Sequence, residues 1–137
     1  NNSVTSLAVS GSTIYAGGYF TTVADAGRSG LAAIGVDGGL LAWNPYAIWG
    51  GVNALAISGG TVYVGGEFFW IGGTTRNNLA AIDTDGGVLA WNPNANSTVN
   101  ALAVSGDAIY AGGTFTSLGG ISQYYLSAID AMTGFLK

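Results

Sequence analysis

The segment VNALAISGGTVYVGG at 52–66 recurs as VTSLAVSGSTIYAGG at 4–18 and as VNALAVSGDAIYAGG at 99–113. The spacing is 48 residues from Val4 to Val52 and 47 from Val52 to Val99. The same offsets relate Tyr15, Tyr63 and Tyr110, then Phe20, Phe68 and Phe115, Leu31, Leu79 and Leu126, and Ile34, Ile82 and Ile129. Trp43-Asn44-Pro45 likewise pairs with Trp91-Asn92-Pro93. A chain that repeats itself at this period folds as an array of like units, each burying its apolar surface against the next. Helical repeats fit poorly. The runs are β-branched and aromatic, and 24 glycines in 137 residues would break helices throughout.

Each copy divides into four strand-sized runs, read in the middle copy as 52–57, 61–68, 79–83 and 88–92. Ser58-Gly59-Gly60 and Asp85-Gly86-Gly87 supply the positive-φ residues of tight hairpin turns. The first run sets Leu55 and Ile57 on one face and Ala54 and Ala56 on the other, and the third sets Leu79 and Ala81 against Ala80 and Ile82. Strands apolar on both faces belong to sheets covered on both faces. The expected fold is all-β: three tandem four-stranded propeller-like blades, at about 4–45, 52–93 and 99–137, the last one truncated. Closed propellers have about 4–8 blades. Three are therefore expected to leave two apolar faces bare and to need partners, either further blades of a longer chain or other copies of itself. With no initiator Met or leader ahead of Asn1, the chain reads as a piece of something longer.

The combination VNALAV, VYVGG with a following Phe, IGG, RNNLAAID and W-N-P resembles the delta-60 type repeats of large bacterial surface and secreted proteins. The likeness extends over nearly the whole chain. Ala24-Asp25 departs from it where the other copies have Gly72-Gly73 and Gly119-Gly120, and Gln123 stands where they have Arg28 and Arg76. The resemblance implies a propeller fold and an extracellular or cell-surface setting, with no catalytic residues and no cofactor. In its repeat length the chain is also similar to small propeller lectins, which implies a glycan as a second kind of partner.

Charged residues make up 7 % of the chain, the net charge is −4, and Arg28, Arg76 and Lys137 are its three basic groups. Nucleic-acid binding needs a basic footprint that these cannot provide. No apolar run reaches ~18 residues without glycine or a polar interruption, so no membrane-crossing helix is expected. A membrane β-barrel is conceivable, since it too is built of short strands, but those strands alternate and run longer than these. The absence of Cys removes disulfides, thiolate nucleophiles and zinc–thiolate sites. The absence of His removes Ser-His-Asp and Cys-His machinery and imidazole metal ligands.

Seven carboxylates remain. Asp37, Asp83, Asp85 and Asp130 fall at turns, and turn chemistry accounts for them. Asp83-Thr84-Asp85-Gly86 opens like a calcium loop but lacks the later ligands and closing Glu, so no metal is expected. Glu67 replaces Tyr19 and Thr114 of the other copies. A glycosidase pair of Glu67 with Asp25 would need a separation of about 5–10 Å. Nothing in the sequence places them so, and the chain reads as a non-enzyme. Arg28 and Arg76, just ahead of the third run, suit a structural tie to loop carbonyls. Asn1-Asn2-Ser3 and Asn96-Ser97-Thr98 match the glycosylation acceptor pattern in equivalent linkers, which makes Asn96 a candidate.

Antiparallel strands put the tight turns at one end of each blade and the remaining loops at the other. At that second end lie the residues that differ between copies. Trp49 sits in the loop 46–51, Phe69 and Trp70 stand where the other copies have Thr21-Thr22 and Thr116-Ser117, and Tyr124-Tyr125 replace Asn77-Asn78. Flat rings gathered on one face suit stacking on a sugar or peptide, and equally packing between blades. Trp43, Trp91 and the Tyr15, Tyr63, Tyr110 set recur in register and read as core. The expected function is a non-enzymatic module for assembly or protein interaction. The alternatives are glycan binding through Trp49, Phe69, Trp70, Tyr124 and Tyr125, and a structural role in an extracellular filament or surface layer.

Overall fold

Sixteen strands and no helix make up residues 2–137, the part of the chain that the computed structural model describes. In the first repeat, β1 (Val4–Ser10) and β2 (Thr13–Gly18) form a hairpin, β3 (Thr22–Val23) and β4 (Ala26–Gly27) a smaller one, and β5 (Leu31–Gly35) returns along β2. Strand β6 (Ala47–Ile48) lies in the linker that follows. The second repeat has β7 (Val52–Ser58), β8 (Thr61–Gly66), β9 (Trp70–Ile71), β10 (Thr74–Thr75) and β11 (Leu79–Ile82). The third has β12 (Val99–Ser105), β13 (Ala108–Gly113), β14 (Ser117–Leu118), β15 (Ile121–Ser122) and β16 (Leu126–Asp130). The result is three antiparallel sheets of three strands each, ordered β1-β2-β5, β7-β8-β11 and β12-β13-β16, with smaller sheets β3-β4, β6-β9-β10 and β14-β15 beside them. Among the described residues no sheet closes into a barrel.

The expectation of four strands per repeat is corrected. The run 88–92 is not a strand: after a single bridge between Ile82 and Val88 the backbone leaves the ladder. Arg76 claims the Leu89 carbonyl at 2.9 Å, and Trp91 turns inward onto Tyr63 instead of extending a sheet edge. The first repeat repeats this with a bridge from Ile34 to Leu40 and a bond from Arg28 to the Leu41 carbonyl. The third carries the same single bridge, Ile129 to Leu136. The second run also stops short, at Gly66 and not residue 68, where the chain bends into the β9–β10 hairpin. That hairpin turns on Gly72-Gly73 at φ 55° and 84°. In the first repeat Ala24 and Asp25 hold the same left-handed geometry, φ 47° and 62°, without glycine.

Two buried clusters join the three main sheets. One unites Tyr15, Leu31 and Ala33 of the first sheet with Val52, Leu55, Val62 and Ile82 of the second. The other unites Tyr63, Leu79 and Ala81 of the second with Val99, Ile109, Ala111 and Ile129 of the third. Each sheet therefore has a forward face, carrying the repeat tyrosine, and a rear face, carrying the valines and leucines of its first strand. The recurrent tryptophans close these contacts. Trp43 packs edge-on against Tyr15 at 4.9 Å and donates from Nε1 to the Asp83 carbonyl of the next repeat at 2.9 Å. Trp91 does the same with Tyr63 at 5.1 Å and with the Asp130 carbonyl at 2.9 Å.

The Gly-Gly pair that ends each second strand follows from two close approaches. Its first member shares the tyrosine's face. A Cβ at Gly17 would lie 2.5 Å from Val52 Cγ1, and one at Gly65 would lie 2.7 Å from Val99 Cγ1. A valine of each following repeat is thus keyed into a missing side chain of the one before. The second member, Gly18, Gly66 or Gly113, abuts a linker carbonyl, that of Ser3, Gly51 or Thr98. A β-bulge at Thr5, Asn53 and Asn100 re-aims one side chain of each first strand. Thr5 Oγ1 donates to the Val52 carbonyl, and Asn53 Nδ2 to the Val99 carbonyl at 3.3 Å, each one repeat onward.

Candidate functional site

The aromatic residues marked by the sequence separate into two groups. Trp49 lies flat on Phe69, with ring centroids 4.9 Å apart and planes within 5°, and Trp70 stands edge-on to Trp49 at 6.4 Å. Pairing of β6 with β9, Ala47 opposite Ile71 and Ile48 opposite Trp70, is what brings the loop 46–51 against the start of the β9–β10 hairpin. Trp49 and Phe69 are exposed, and Trp49 holds φ 58°, a left-handed conformation rare for a bulky residue. Tyr124 and Tyr125 form their own exposed edge-on pair at 5.9 Å. Among the described residues no ring contact joins them to the tryptophan group. Tyr125 sits at φ 64° where Gly30 and Asn78 sit at 69° and 63°. The N–H of each donates to the carbonyl of the repeat phenylalanine, so the backbone there is set by the repeat while the ring is specific to this copy.

A polar chain connects the repeats nearby. The Tyr19 hydroxyl donates to Asn53 Oδ1 at 2.7 Å, and Asn53 Nδ2 lies 3.3 Å from Asn100 Oδ1. Burial first, then the Glu67 carboxylate, pushes the Tyr19 hydroxyl up to about 12. Asp25, the other half of the carboxylate pair considered from the sequence, occupies the β3–β4 turn. Three further aspartates accept turn hydrogen bonds, and Asp107 pairs with Lys137 at 2.8 Å. Asp83 Oδ1 accepts from the N–H groups of Asp85 and Gly87, Asp37 Oδ1 from Gly39, and Asp130 Oδ1 from Met132 and Thr133. Among the described residues, no three His, Cys, Asp or Glu side chains cluster as a metal site would require. Two surface pockets, one around Leu118, Ile121 and Phe135 and one around Thr13, Val36 and Leu41, include none of the marked aromatics.

Asn96 is exposed, but its side chain is occupied. It donates to Thr116 Oγ1 at 2.9 Å and accepts from the N–H groups of Thr116 and Ser117 at 2.8 and 3.0 Å. It pins the linker to the β14 hairpin. Asn1, the other acceptor match, lies outside the described residues.

The second candidate surface is the pair of faces on which the array stops. Leu126, on the forward face of the third sheet, is 63 % exposed where its counterpart Leu79 is 0 % exposed. Tyr110 and Ala103 lie open beside it, whereas Tyr63 is buried and Ala56 is packed against the next sheet. On the rear face of the first sheet, Leu7 is 64 % exposed where Leu55 is 8 % exposed, with Val4 and Val9 equally bare. These are the residues that form the contacts between repeats, without a neighbouring repeat over them. Sequence reading foresaw two such faces but not the keyed glycines or the bulge residues. Their signal was present in the strict recurrence of Gly-Gly and of a polar residue one place after the first valine.

No protein-family model matches the chain, and no curated protein matches it. Among solved structures it is similar to the crystal structure of the computationally designed Ika8 protein, at 18 % identity and a TM-score of 0.42. That match takes in 97 % of this chain and 60 % of the other, so the chain spans less than two thirds of the protein it resembles.

Proposed function

We propose that the chain is a non-enzymatic extracellular repeat module, propeller-like in arrangement, that acts by joining further repeats through its two end faces. The observation that carries this reading is the exposure of Val4, Leu7 and Val9 at one end and of Tyr110 and Leu126 at the other. The equivalent residues between repeats are buried in two clusters, one at each junction. A contiguous apolar surface of this kind marks an interaction site. Further repeats of a longer polypeptide, other copies of the chain, or a filament or surface layer built from them would each cover these faces. Light scattering on a sizing column over a range of concentrations tests the reading. A mass that rises above that of one chain supports it, and a single chain at every concentration overturns it.

Glycan binding is a second reading, supported by the convergence of Trp49, Phe69 and Trp70 from two separate loops. An open indole face suits the apolar face of a sugar ring. Titration of simple sugars against intrinsic fluorescence, in the parent and in Trp49→Ala, tests it. An identical response in both removes Trp49 from the site.

A further inference from the structure

We propose that the bare forward face of the third sheet receives the bare rear face of a second copy of this chain, in the register that joins successive repeats within it. This deepens the assembly reading and rests on it. The occupant is named by the molecule's own interior, where the same contact is made twice.

Three features of that contact recur at the open ends. The first is the keyed valine. Val52 fills the space over Gly17, and Val99 the space over Gly65, with Leu55 Cγ and Leu102 Cγ each 3.3 Å from the same points. Gly112 is the third member of the series, and nothing from another repeat stands over it: its nearest neighbours are the Tyr125 carbonyl at 3.8 Å and Ala101 at 3.9 Å, both in its own repeat. Val4 and Leu7, the first-repeat counterparts of the inserted residues, stand exposed. The second feature is the tyrosine platform. Tyr15 and Tyr63 are covered by the following sheet, whereas Tyr110 is not. The third is the bulge donor. Thr5 and Asn53 each reach the carbonyl of the valine one repeat onward. Asn100 occupies the same bulge and accepts from Asn53 through Oδ1, and among the described residues its Nδ2 meets no acceptor. In the joined pair it donates to the Val4 carbonyl of the second copy.

The two surfaces are different from each other, so the contact is head-to-tail. Such contacts close into a ring or run on as a filament, and each copy keeps one donor and one acceptor face. Pairing of like faces would instead stop at a dimer. The hand of the contact is therefore testable by blocking one face at a time. Gly112→Val places a branched side chain on a strand position that is open in the single chain, so it fills the socket without crowding the chain's own fold. Leu7→Asp puts a charge on the inserted face at an exposed position. Leu126→Asp and Val9→Asp serve as second variants of the two faces, and circular dichroism verifies that each is folded.

Native mass is measured for the parent, for each variant alone, and for an equimolar mixture of Gly112→Val with Leu7→Asp. Head-to-tail joining predicts an associated parent and two variants whose self-association is weakened ~30-fold or more, the loss expected for a central apolar anchor. It also predicts a mixture that forms a one-to-one pair and nothing larger, since each partner contributes the face the other has lost. A parent that stays a single chain overturns the assembly reading and this inference together. An associating parent with either variant still self-associating, or with a mixture that does not pair, overturns the register alone and leaves assembly standing.

Discussion

Gly17, Gly65 and Gly112 occupy the same place in three copies of one strand, and they differ only in what stands over them. Replacing Gly65 by Ala puts a Cβ 2.7 Å from Val99 Cγ1 and 3.3 Å from Leu102 Cγ, inside a packed cluster where neither neighbour can withdraw without disturbing others. Overpacking of this kind costs about 1–3 kcal/mol. Alanine restricts the unfolded chain more than glycine does, which returns roughly 0.4–1 kcal/mol. A net loss of ~1–2 kcal/mol is expected at Gly65, and a similar loss at Gly17, where Val52 Cγ1 would be 2.5 Å away. At Gly112 the nearest atom is 3.8 Å off, an ordinary contact, so only the favourable term is left. The two alanine variants should differ by about 1–3 kcal/mol, the overpacking cost itself, or roughly 3–12 °C in unfolding midpoint for a chain of this length. Urea and thermal unfolding followed by circular dichroism, at concentrations where light scattering finds single chains, measures this directly. If Gly112→Ala is as harmful as Gly65→Ala, the glycines answer to their own backbone and not to the next repeat. If Gly65→Ala is neutral, Val99 is not keyed there at all.

Two further outcomes are expected. Ala24→Gly should raise the unfolding midpoint, because Ala24 holds φ 47° in a two-residue turn and relief of a left-handed alanine, about 1–2 kcal/mol, exceeds the roughly 0.4–1 kcal/mol that glycine's freer unfolded chain takes back; no change or a fall would mean the turn is not strained. Tyr19 is held neutral in the fold with its titration raised to about 12, above the usual value of about 10. Because the folded value is the higher one, the associated stability is complete below pH ~10 and is lost as pH rises through about 12. Thermal midpoints recorded across this window should therefore decline, and decline less in Tyr19→Phe; parallel profiles for the two proteins would remove Tyr19 as a contributor.

The period of the chain made the array, its main strands and its two faces legible, because the contacts that bury Leu55 or Tyr63 are the ones that require the same residue one repeat away. What escaped reading depends on contacts the period does not encode. Residues 88–92 look like a strand by composition, and they leave the ladder because Trp91 has a better partner in Tyr63 and in the Asp130 carbonyl of the following repeat. The β6-β9-β10 sheet is built from two-residue strands, too short to show any alternation. The meeting of Trp49 with Phe69 and Trp70 rests on that sheet, so their clustering could be suspected from the loops they occupy but not located. Tyr124 and Tyr125, placed with them on sequence grounds, pair only with each other among the described rings.

The forward face of every sheet carries the same kind of tyrosine, leucine and glycine, and the rear face the same kind of valine and leucine. Removing the outermost sheet at either end would therefore uncover a surface of the same character as the one removed. If the third sheet opened, Tyr63, Leu79 and Gly65 would stand where Tyr110, Leu126 and Gly112 stand now. The ends are in this sense self-similar: shortening or lengthening the array by whole repeats alters its reach and its mass, but not the character of the surface at either end.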